Sequence, residues 1–272
     1  MRIFRFTAVI AILGALVAGR AGAQDSAVSA NIDEAFRLAG VRSMLQSLPA
    51  HVNEMTVAAI AQIPKDKRQE LEPLIKDASL KFLDPDAFYR ELRTNFSRHY
   101  DAAHMATFLA LERTPLYRTM HRLEESADTP AAQAARGRFG ASLRADPPPA
   151  KRVAILQRLD EARGSTGLQV RIVIGIVNAV SAGLGAQMPS DLQNQSADFA
   201  ARIRPILANN VLVSYLYTYR NTGDAELEDY VGAVQQKDVA WFDQTLQSAI
   251  VAVVADRSAR AGEYIKTKVT KQ

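Results

Sequence analysis

From residue 52 to the C-terminus the apolar side chains recur at three- and four-residue intervals, the period of one face of an α-helix. Val52, Met55, Ala59, Ile60 and Ile63 make one such stripe, and Leu71, Leu74, Ile75, Ala78 and Phe82 a second. Phe88, Tyr89, Leu92 and Phe96 make a third. Asp84-Pro85, Thr114-Pro115 and Thr129-Pro130 predict helix starts. In each, the side-chain oxygen caps free backbone N–H groups, and proline at the first helical position gives up an N–H that has no partner there. Asp101 predicts a further start, before Met105, Phe108 and Leu109. Strand-like alternation bounded by Asn-Gly or Asp-Gly turns is missing. The expected fold class is all-α, with two related helical-bundle halves packed together or joined by a Pro-rich linker.

Asp146-Pro147-Pro148-Pro149 is the clearest break, because three prolines cannot continue a helix. The Ala- and Arg-rich residues before it read as a weakly buried helix or a linker. The expected organisation is a signal peptide at 1–23, an N-terminal helical half at 24–128, a linker at 129–150 and a C-terminal helical domain at 151–272. Beyond the break, Val153, Leu156, Leu159 and Ala162 share a helical face, and Gly164-Ser165-Thr166-Gly167 interrupts it. Ile172 to Ala186 is the most hydrophobic stretch after residue 23 and predicts a buried central helix whose glycines permit close packing. A long last helix is expected from about Val239 to Ile265.

The first 23 residues follow a different pattern. Arg2 and Arg5 precede an apolar run from Phe6 to Val17, and Ala21-Gly22-Ala23 supplies small residues before a polar segment. That order predicts a secretory signal cleaved after Ala23, hence a periplasmic or secreted protein. The run is too short for the roughly 20 residues that a membrane span requires. The prediction also changes the charge. The chain carries 33 basic and 29 acidic residues, a formal net charge of +4. Removing Arg2, Arg5 and Arg20 leaves 30 against 29, too even a balance to suggest nucleic-acid binding. With no cysteine, disulfides and thiolate chemistry are excluded.

The halves carry similar spacings. Phe88-x₃-Leu92-x₃-Phe96 precedes Asp101, Met105 and Phe108, and Val211-x₃-Tyr215-x₃-Tyr219 precedes Asp224, Leu227 and Tyr230. An internal repeat is expected, with one small insertion or deletion. The Asp224-Ala-Glu-Leu227 start, followed by Tyr230 and another amphipathic helix, resembles the bacterial exported family catalogued as domain of unknown function 2059. The resemblance is best over 205–262 and weaker over 86–125, where Ala103-His104 stands in place of the family's acidic pair. It implies an α-helical envelope protein and brings no activity, cofactor or catalytic residue.

No catalytic, cofactor or metal motif emerges from the residues. His51, His99, His104 and His121 lack a His-Glu-x-x-His arrangement and read as structural or surface groups. Glu124-Glu125, Asp160-Glu161 and Glu228-Asp229 are adjacent carboxylates about 100° apart on a helix, so they read as solvated faces. An apolar binding face is the one candidate site, drawn from Ile172, Ile176, Val180, Tyr215, Tyr219, Trp241 and Phe242. The leading expectation is a non-enzymatic binding protein of the cell envelope, with another envelope protein or a lipid as partner. The alternatives are a carrier of lipid or a small apolar ligand, and a hydrolase with a dispersed active site.

Overall fold

The computed structural model describes residues 26–46, 65–184 and 196–269. The predicted signal sequence at 1–23 and the stripe at 52–63 lie outside them. Among the described residues the fold is all-α, with twelve helices and no strand. They are α1 (26–38), α2 (41–46), α3 (Lys65–Phe82), α4 (Pro85–Ser97), α5 (Ala102–Glu112) and α6 (Pro115–Ala127). Then follow α7 (Pro130–Ser142), α8 (Ala150–Arg163), α9 (Ser165–Leu184), α10 (Ser196–Thr218), α11 (Asp224–Val234) and α12 (Lys237–Val269). None of these helices is long and apolar enough to cross a membrane.

The proline-led starts form as their residues dictate. Asp84 accepts from the Ala87 amide at 2.6 Å and Thr129 from the Ala132 amide at 3.2 Å. Asp101 accepts from the amides of Ala103 and His104, both at 2.9 Å. The matching position in the second half differs. Asp224 lies inside α11, Gly223 caps it without a side chain, and the Asp224 carboxylate binds Arg152 at 2.8 Å. The Ala- and Arg-rich segment is helical, as α7, and packs against α6 and α10. Gly164 adopts φ 63° between α8 and α9, and Asp160 caps the new helix at the Thr166 amide, 2.9 Å away.

The 33-residue α12 is the spine. Helices α3, α4, α5, α8, α9 and α11 all contact it. One continuous core joins residues from α1 through α12, across the proline break. At its centre Phe242 lies stacked on Phe108, ring centroids 3.8 Å apart, and Phe96 packs on both Phe36 and Phe242. The buried Arg257 guanidinium donates to Glu91 at 2.8 Å and to the Phe82 carbonyl at 2.7 Å, tying α12 to α4 and to the end of α3.

The stretch from Ile172 departs from its expected burial. Residues 172–177 are only partly covered and Asn178 is exposed. Helix α9 contacts α12, α10 and α8, and these neighbours leave its apolar surface incompletely covered. Gly175 does meet the close approach expected of it, since a Cβ there would lie 3.7 Å from Val254.

Phe242→Ala should lower unfolding free energy by about 3–5 kcal/mol, the cost of emptying a large aromatic site in a rigid core. Urea denaturation monitored by circular dichroism measures it.

Candidate functional site

Six helices deliver ionisable groups to one place in the interior. Glu112 is the last residue of α5, and Tyr117, His121 and Glu124 share one face of α6. Arg163 ends α8, Tyr215 is in the last turn of α10 and Tyr219 just past its end, Tyr230 is on α11, and Asp243 is on α12. Glu112 is 1% exposed and Tyr230 0%. Charge held this deep must be paired, because leaving water costs an isolated ion several kcal/mol.

His121 sits between two carboxylates. Its Nε2 lies 2.6 Å from Glu112 Oε2 and its Nδ1 3.1 Å from Glu124 Oε2. Burial alone would lower the imidazole pKa. The hydrogen bonds and charges of Glu112 and Glu124 override it and raise the value to about 9, so both ring nitrogens donate. The other oxygen of Glu124 accepts from Tyr219 at 2.6 Å and from Tyr230 at 2.9 Å. Against the opposing effect of burial, the His121 hydrogen bond and the Arg163 and His121 charges hold Glu124 down at about 2. Arg163 donates to the Tyr230 hydroxyl. Burial, then the Glu124 charge on Tyr219 and the balance of Arg163 and Glu124 on Tyr230, keeps both phenols well above their ordinary range, so they stay neutral donors.

The far side of the cluster is less complete. Arg163 Nη1 is 3.5 Å from Asp243 Oδ1, too long for a good hydrogen bond. Asp243 Oδ2 and the Tyr117 hydroxyl are buried with no hydrogen-bond partner among the described residues. Burial foremost, with Glu112 and Glu124 nearby, pushes Asp243 up to about 6 although Arg163 and His121 pull the other way.

The predicted apolar face is divided among several neighbourhoods. Phe242 is in the aromatic core, and Trp241 stacks on His104 with centroids 5.3 Å apart. His104 Nδ1 lies 2.7 Å from Asp238. Tyr219 gives its hydroxyl to Glu124, and the Tyr215 hydroxyl lies 2.7 Å from Ser165 Oγ. Ile172 and Ile176 pack partly covered against the core, and the Val180 side chain lies outside the described ones.

Of the adjacent carboxylates, Glu125, Glu161 and Asp229 are exposed as expected. Glu124 is only partly solvated, its side chain 33% exposed, and it is the hub of the cluster. Its signal lay in the stripe itself. Tyr117, His121 and Glu124 fall at i, i+4 and i+7, so polar groups continue the stripe from the core at Tyr117 to its partly solvated edge at Glu124. His99 is exposed, and His51 lies outside the described residues. Among the described residues no group of three or more metal-binding side chains converges. No family model, curated protein or solved structure matches the chain.

The unfolded His121 titrates near 6.5 and the folded one near 9. Its contribution, roughly 3 kcal/mol, is therefore fully present below about pH 6.5 and lost as pH rises through about 9. Glu124 has the opposite sign: its contribution is present above about 4.5 and lost as pH falls through about 2. His121→Gln should cost about 3–5 kcal/mol at about pH 6 by leaving Glu112 without its cation, and should flatten the alkaline limb. Urea midpoints across that pH range test both effects.

Proposed function

We propose that this chain is a non-enzymatic helical protein of the cell envelope, exported to the periplasm and acting by binding another envelope component. The observation that carries the reading is the commitment of His121 and Glu124 to partners within the fold, while Asp243, the one carboxyl of the cluster with an unpartnered oxygen, is 8% exposed. Both nitrogens of His121 and both oxygens of Glu124 are engaged inside the fold. A general base needs a free lone pair beside the proton it removes, and an activated nucleophile needs such a base. Ser165, beside the cluster, has a tyrosine hydroxyl rather than a histidine at hydrogen-bond distance. The envelope address is supported by the signal-like residues 1–23 and by the family resemblance over 205–262. The hydrolase reading draws no support from this arrangement.

A second reading is favoured by one observation. Ile172, Val173, Ile174, Ile176 and Val177 on α9, with Phe199, Ile203 and Leu207 on the adjoining α10, are all only partly covered, and Ile206 is 62% exposed. Apolar surface of this kind suits a lipid or small apolar ligand.

Cell fractionation with N-terminal sequencing should find a periplasmic chain beginning at Gln24; a cytoplasmic chain retaining Met1 would sink the envelope reading. Crosslinking in intact cells should then capture a discrete envelope protein. Native mass spectrometry of the purified chain should show the bare mass, and a co-purifying lipid would replace the first reading by the carrier.

A further inference from the structure

The interior cluster does not balance. Three carboxyl groups, Glu112, Glu124 and Asp243, face two cationic side chains, His121 and Arg163. Glu112 and Glu124 take the short bonds of His121, and Glu124 also takes both phenols. Asp243 is left with the long approach of Arg163 to one oxygen and no donor to the other.

We propose that this cluster is a proton-operated latch, in which uptake of one proton by Asp243 tightens α12 against the helices that hold the rest of the cluster. The groups acting on Asp243 come from every side: Glu112 on α5, Tyr117, His121 and Glu124 on α6, and Arg163 on α8, with Tyr219, just past α10, and Tyr230 on α11 bonded to Glu124 behind them. Of these only Arg163 and His121 favour the ionised form, and both have nearer anionic or phenolic partners. A proton on Asp243 removes the surplus buried negative charge at a carboxyl whose second oxygen has no donor.

The sign follows from linkage. The unfolded Asp243 titrates near 3.8 and the folded one near 6, so the folded chain holds the extra proton across that window. Its stability falls as pH rises through the window, and the penalty persists above it. Ordinary paired carboxylates give the opposite slope, and His121 acts only at higher pH, so this limb belongs to Asp243. The result is an interior closed most firmly in mild acid and loosened toward neutral pH, independently of whether the partner is a protein or a lipid.

Asp243→Asn fixes the uncharged state at the same size. Unfolding equilibria of wild type and variant should be compared between about pH 4.5 and 6.5, where the wild-type folding constant should drop by about twentyfold relative to the variant. Asp243→Asn should also be the more stable of the two at about pH 7.5, and the hydrogen-exchange protection factors of the amides around Asp243, corrected for intrinsic rates, should rise with acid in wild type alone. Parallel slopes for the two proteins, or a variant that is less stable at about pH 7.5, would overturn the proposal. If the variant does not fold, carbon-13 titration of the wild-type Asp243 carboxyl decides. A midpoint above about pH 5 sustains the latch, and one near 3.8 ends it.

Discussion

The polar interior of this fold answers one requirement, that carboxylates drawn in among packed helices must find donors. Glu124 meets it by drawing on His121 from its own helix, Tyr219 from just past the end of α10 and Tyr230 from α11. Each donor fixes a register, since sliding any one helix by a residue turns its donor away by about 100°. An apolar core of the same size would be at least as stable but would tolerate more than one packing. The cluster thus selects a single arrangement of α6, α8, α10 and α11 around the spine.

The spine answers the same requirement differently along its length. Near Phe242 it meets its neighbours through stacked rings, which are indifferent to pH. Further on, Arg257 lies over the Phe88 ring while its donors reach Glu91 and the end carbonyl of α3. Nearer its C-terminus Tyr264 donates to Asp77, with the Lys81 ammonium 4.5 Å from its ring. Helices α3 and α4 are therefore held at several points by contacts of different chemistry, so no single substitution there frees them.

How far the sequence foretold this varies with the range of the interaction. Asp84, Asp101, Thr114 and Thr129 were legible because a cap is decided within four residues. The extent of α12 was legible within a few residues because its stripe is unbroken. Asp224 repeats the spacing of Asp101 but not its role, because Arg152, 72 residues earlier in the chain, claims its carboxylate. The coverage of α9 and the partners of Glu124 were not legible for the same reason. Hydrophobicity along one helix does not say which neighbours arrive, and a lone polar residue on an apolar face acquires meaning only when its partners come from elsewhere. The binding face failed to assemble as one surface because Tyr219 and Phe242 had better partners inside.

Arg152 gives α8 two unlike ends. Near its start the guanidinium grips the Tyr219 and Thr222 carbonyls and the Asp224 carboxylate at the corner where α10 gives way to α11. Near its finish Arg163 reaches into the cluster of titrating groups. Arginine stays charged at any physiological pH and carbonyl oxygens do not titrate, so the first grip is constant. The helix is thus a lever roughly 16 Å long between the two arginines, with a fixed fulcrum at one end and a proton-dependent load at the other.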